Sequence, residues 1–155
     1  MYGISTWVAK STLLPLNTAF INNKSLCIVI LPINNNLEKS KYIEIKELQH
    51  KMLLVLGRSI RSLNIVNLFC NGWDSQIFSL EQQDHITKKI LLYYKYTKLI
   101  VQFGNLEFLN IKFLNEKAIT ITKVLHPLYV LQHPNSKKQA YKDLLLCKSK
   151  LEKLL

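Results

Sequence analysis

Arginine is nearly missing from this chain: Arg58 and Arg61 are the only two, and the other 19 of its 21 basic residues are lysine. Arginine is the side chain that forks onto guanine and phosphate, so base-specific reading of nucleic acid is poorly served. General attraction to polyanions fits better, because only 10 acidic residues oppose the basic ones and the net charge is +11. The same wealth of Lys, Asn and Ile is what an AT-rich genome writes, so the charge has a compositional reading as well as a functional one. Glycine and proline are scarce, at four each. No glycine-rich loop follows the first apolar run, where Pro32-Ile33-Asn34-Asn35-Asn36 stands instead, which excludes the usual phosphate cradles. No G-x-S-x-G elbow is present. The three cysteines, Cys27, Cys70 and Cys147, are far apart, form no CxxC and are odd in number. They exclude a disulfide framework and are expected as buried thiols in a reducing compartment. His126 and His133 with Cys147 lack zinc-site spacing, so neither metal nor cofactor is expected. Apolar runs reach only about half a dozen residues, against the ~20 needed to span a bilayer. No basic segment followed by a long apolar core opens the chain, so a cytoplasmic protein without membrane attachment is expected.

What is present suffices for one domain. The chain has 155 residues, 48% of them hydrophobic, enough for a sizeable core. Residues 1–25 follow neither helical nor strand period, and Gly3, Pro15, Asn17, Asn22 and Asn23 interrupt them. They are expected to form an extended arm, with residues 26–155 as the folded domain. Ile4, Trp7 and Val8 are bulky for an arm, and a tryptophan so placed wants a partner, either its own domain or another protein. Residues 26–31, LCIVIL, read as a buried strand ending at Pro32. A helical period runs from Ile43 through Leu48, Met52, Val55 and Leu56 and closes at Gly57. Residues 63–70 form a second strand. Ser79 with Gln82 makes a capping box for a helix carrying Ile86, Ile90 and Leu91 inward. Residues 99–103 are a third strand, stopped by Gly104-Asn105, and 106–113 a short amphipathic helix. Residues 117–124 alternate Ile119 and Ile121 against Thr120 and Thr122, a fourth strand with unlike faces. On the last helix, capped by Asn135 or Ser136, Ala140, Leu144, Cys147, Leu151 and Leu154 form an apolar seam. Alternation of this kind predicts a three-layer α/β domain around a mostly parallel four-stranded sheet.

In such sheets ligands sit beyond the carboxyl ends of the strands. Asp74 is the one carboxylate at a strand end placed to act as a base. The stretch 125–146, LHPLYVLQHPNSKKQAYKDLLL, joins a strand exit to a proline-bounded turn and the terminal helix. Each of its His-Pro pairs is a boundary, because the residue before a proline leaves the helical region. His126, Pro127 and Pro134 are expected to be structural. Tyr93, Tyr94 and Tyr96 beside Lys88 and Lys89 have the makings of a stacking platform for single strands, or of an ordinary helix end with solvated lysines.

The segment 117–146 resembles the C-terminal motif of the uracil-DNA glycosylase superfamily. It does so through Val124-Leu125-His126-Pro127-Leu128-Tyr129-Val130-Leu131, followed by Pro134, Lys138, Tyr141, Asp143 and Leu144. In that group the histidine helps stabilise the charge that develops as the base leaves its sugar. The group's water-positioning motif after the first strand has no counterpart at 32–36, and three scattered cysteines cannot supply an iron–sulfur cluster that needs four. More of the chain resembles the psi-subunit family of bacterial DNA polymerase III, which has a glycosylase-like fold without the catalytic motifs. That family's arm carries Gly-Ile-x-x-Trp, and this chain reads Gly3-Ile4-Ser5-Thr6-Trp7 ahead of its first strand. Pro127-Leu128, Asn135 beside Pro134, and Tyr141 agree at the other end. The family's paired arginines and proline after the tryptophan are replaced here by Val8, Ala9 and Lys10.

The resemblance implies a non-catalytic accessory subunit in DNA replication. Gly3, Ile4 and Trp7 would engage the collar of the gamma/tau clamp-loader ATPase subunits, with Ile4 and Trp7 as apolar anchors and Gly3 as the bend. The folded body would hold the chi subunit, and through it single-strand binding protein and DNA. The alternative is a divergent uracil-DNA glycosylase-family protein acting in base excision repair.

Overall fold

Eight successive residues, Cys27–Asn34, form β1, and the first seven of them are buried. That burial explains the continuous apolar run, because a strand covered on both faces has no solvent side to alternate with. The computed structural model describes residues 26–34, 36–57, 63–70 and 78–154. After β1 come α1 (Lys39–Leu53), β2 (Leu63–Cys70), α2 (Leu80–Tyr93), β3 (Leu99–Phe103), α3 (Ile111–Glu116), β4 (Thr120–Val124), α4 (Pro127–Gln132) and α5 (Lys137–Leu154). The four strands lie in the order β2-β1-β3-β4, and every pairing is parallel. Val29 sits opposite both Ile65 and Val101, and Val101 opposite Thr122, which fixes the register across the sheet.

Helices cover both faces. On one, Cys27, Val29, Leu31 and Val101 meet Ile45 and Leu53 of α1, Val130 of α4, and Ala140, Leu144, Cys147 and Leu151 of α5. On the other, Ile28, Ile30, Val66 and Ile100 meet Ile86 and Ile90 of α2, Leu114 of α3, and Phe108. The expected three-layer α/β domain is therefore present, with a sheet that is parallel throughout the described residues. No helix among those residues is long and apolar enough to cross a membrane.

Local signals explain most element ends. The Ser79 hydroxyl accepts from Gln82 N, and the Gln82 side chain returns to Ser79 N, giving the expected capping box. Gly57 closes the turn after α1 at φ +64°, the left-handed region that a β-carbon disfavours.

Four expectations need correction. The first strand does not stop at Pro32; β1 continues to Asn34. Its pairing with β3 ends at Ile30, while pairing with β2 runs on through Pro32 opposite Leu68. The proline's missing N–H thus costs no ladder bond on the β3 side, where the strand has become an edge. The short helix begins at Ile111, capped by Asn110, rather than at Leu106. Residues 128–131 are not a bare turn but lie in the six-residue helix α4, and a short 3-10 turn, Pro134–Ser136, takes the place of a simple cap before α5. β4 begins at Thr120 rather than at Lys117, because Lys117 N and Ala118 N still bond back to α3; within the strand Thr122 is buried on the same face as Val124 and its hydroxyl accepts from Lys150 of α5.

Candidate functional site

β3 and β4 end side by side, and the chain leaves them through two turns that build a hollow. After Phe103 the chain turns at Gly104, φ +89°. A β-carbon there would meet His126 at 3.6 Å, an ordinary contact, so the backbone angle rather than the space calls for glycine. The buried Gln102 side chain holds this turn, its Nε2 donating to the carbonyls of Gly104 at 3.0 Å and Leu106 at 2.8 Å. Gly104 N donates to Val124 O at 2.7 Å, which ties the two strand exits together.

His126 is the hub of the exit from β4. It caps α4, with Nδ1 accepting from Leu128 N at 3.0 Å, and its Nε2 lies 2.7 Å from Pro32 O. A carbonyl can only accept and an amide N–H can only donate, so the proton sits on Nε2 and the ring is neutral. The side chain is 4% exposed. Pro127 follows at the first helical position, where its missing N–H is no loss. One imidazole thereby fastens the end of β1, the end of β4 and the first turn of α4. Pro134 starts the turn before α5, where Ser136 Oγ donates to His133 O at 2.6 Å. The His133 ring stacks on Tyr129, centroids 4.2 Å apart.

The hollow above these residues has a volume of about 460 Å³. Its walls are the 104–106 turn, the exit of β4 from Lys123 to His126, Tyr129 of α4 and Asp143 of α5. Asp143 accepts from Gln139 Nε2 at 2.9 Å. A second hollow of about 260 Å³ shares Lys123 and is rimmed by Leu80 and Ile111. The first has the size of a small-molecule or side-chain pocket, and its polar side chains are the Lys123 ammonium, the Asp143 carboxylate, the Tyr129 phenol, the Asn105 amide and the His126 imidazole. It can hold and orient. Proton transfer through His126 would require the imidazole to release a backbone partner.

The other sequence-level candidates are dispersed. Gly3, Ile4, Trp7 and Asp74 lie outside the described residues. His126 lines the hollow and Pro127 is buried beside it at the start of α4, while Pro134 stands exposed beyond α4. Burial pushes the Cys27 thiol up to about 12, with Cys147 nearby adding to it, and the Cys147 thiol up to about 11, so neither is a ready nucleophile. At the end of α2, Tyr93 and Tyr94 pack at 6.5 Å, Lys88 pairs with Asp84 at 2.9 Å, and Lys88 and Lys117 both lie over the Phe113 ring. Tyr94 is half-buried there, while Tyr93 and Tyr96 stand exposed beside Lys95 and Lys98, so the cluster is only partly spent on its own fold. Among the described residues no group of three His, Cys, Asp or Glu is placed to hold a metal ion.

Two features escape sequence reading. Gln102 stands inside an apolar run and gives no sign of its role in the turn. Lys46 is the other: its Nζ donates to Gln49 Oε1 at 2.8 Å and to Asn67 Oδ1 of β2 at 3.2 Å. Burial pushes this ammonium down to about 8, and the buried Gln49 Nε2 has no hydrogen-bond partner among the described residues. The only advance signal was the Lys46/Gln49 spacing of three on one helical face. No protein-family model, curated protein or solved structure matches this chain.

Proposed function

We propose that this chain is a non-catalytic adaptor of the psi type, an accessory subunit of a bacterial DNA polymerase III holoenzyme. In this reading residues 1–25 are a partner-binding arm whose Gly3, Ile4 and Trp7 engage the collar of the gamma/tau clamp-loader ATPase subunits. The body, a glycosylase-like domain, carries the chi subunit and so links the loader to single-strand binding protein during replication, in the cytoplasm. The observation that carries the reading is the bonding of His126. The residue that would stabilise the leaving base in a glycosylase here spends both ring nitrogens on backbone groups, at 2.7 and 3.0 Å. The hollow above it, with Lys123, Asp143, Tyr129 and Asn105 in its walls, has groups suited to holding a partner's side chain. The parallel four-stranded sheet between two helical layers is the architecture that the resemblance implies.

Two assays on the full chain test this. Co-elution with the purified clamp-loader ATPase assembly of the same organism is the expected result, together with no uracil release from single-stranded DNA. Failure to co-elute, combined with excision that is lost in His126→Ala, would replace the adaptor by a glycosylase.

A further inference from the structure

We propose that the outward face of α5 binds single-stranded nucleic acid directly, through its phosphates and at least one base. The charge of the described helices is not spread evenly. α5 carries six lysines against Asp143 and Glu152, and α1, on the same side of the sheet, four lysines against Glu44 and Glu47. On the opposite side α2 balances Lys88 and Lys89 with Glu81 and Asp84, and α3 balances Lys112 with Glu116. A lysine excess that came from genome composition alone would fall on both helical layers. Here the helices of one layer hold a formal net +6 and those of the other are neutral, and with the described connections beside them the balance is +5 against +2.

The face has more than charge. With about 100° of turn per residue, Lys138, Tyr141, Lys142 and Leu145 fall in one sector of α5 turned away from the Ala140–Leu144–Cys147–Leu151 seam. Tyr141 is 53% exposed and Leu145 41%, with Lys138, Lys142 and Lys153 exposed around them. At the seam with α1, Lys148 reaches toward Gly57, its Nζ 3.9 Å from where a β-carbon would stand. Lysines without arginine give phosphate contact without base reading, and an exposed aromatic among them is a stacking surface indifferent to sequence. An unpaired strand offers both phosphates and free base faces; a duplex offers only the first. This surface is independent of the arm, so it stands whether or not Trp7 engages a clamp loader.

The test is fluorescence anisotropy of the full chain with labelled oligothymidylate across a salt series. Lys138, Lys142 and Lys153 are changed together to Gln, with Lys89, Lys95 and Lys112 changed together as the control from the other layer, and circular dichroism checks both folds. The expected result is salt-sensitive binding, weakened about tenfold or more in the α5 variant, with the log–log salt slope reduced by about 2 for three lost phosphate contacts. The control variant keeps both, and Tyr141→Ala weakens binding while keeping the slope. Absence of binding at low salt, equal loss in the two triple variants, or equal binding of polyglutamate would each overturn the proposal.

Discussion

Pro32 sits where β1 has lost one neighbour, and its carbonyl would face the core unpaired if His126 did not reach it. His126→Ala therefore removes a donor to Pro32 O and an acceptor for Leu128 N at one stroke and leaves a cavity. The expected loss is about 3 kcal/mol in urea unfolding. His126→Asn, a good capping residue, should restore the α4 cap but not the reach to Pro32, and so lose less. A second residue-scale prediction concerns alkaline pH. The two buried thiols, raised from 9.0 to about 12 and about 11, contribute stability that is intact below pH 9 and lost as pH rises from 9 through those values, because unfolding frees them to ionise. Lys46 acts in the opposite sense. Its pKa falls from 10.5 to about 8, so between those values the folded protein has shed a proton that the unfolded chain keeps, and stability rises with pH. In Lys46→Met that opposing gain is gone. Denaturant titrations at about pH 7.5 and about pH 10 should show a larger loss over that interval for the variant than for the wild type.

The first turn of α2 is held by a reciprocal pair, Ser79 and Gln82, that lies wholly within one turn. Ser79→Ala should cost about 1 kcal/mol and raise amide exchange in that turn. The same locality is why this helix start, β2, β3, the Gly57 stop and the α5 seam were all legible in the sequence: each depends on residues a few positions apart. The misread elements depend on partners far along the chain. α3 starts at Asn110, not Leu106, because Asn110 N donates to Thr87 Oγ1 and its side chain to Asp84, 23 and 26 residues away. Residues 104–106 are kept out of a helix by the Gln102 amide. β1 outruns Pro32 because β3 stops pairing at Ile30, a fact of sheet order. At the site, the His-Pro boundary at His126-Pro127 could be read. The pairing of His126 with Pro32, 94 residues earlier, could not, nor could the Lys46–Asn67 contact across 21 residues.

For the molecule as a whole, His126 ties β1 to the exit of β4 beside an open hollow, and the described helices carry more positive charge on the α1 and α5 layer than on the other. The proposed division of labour is an anchoring arm, a carrying body and a basic outer helix. Its central claim is that a tryptophan ahead of the fold does the anchoring. The most direct measurement is a calorimetric titration of the full chain, wild type and Trp7→Ala, into the purified clamp-loader ATPase assembly. The account predicts a saturable complex for the wild type and a loss of about 2 kcal/mol or more, roughly 30-fold in affinity, for the variant. No heat of binding for the wild type, or equal affinity for the two proteins, would contradict it.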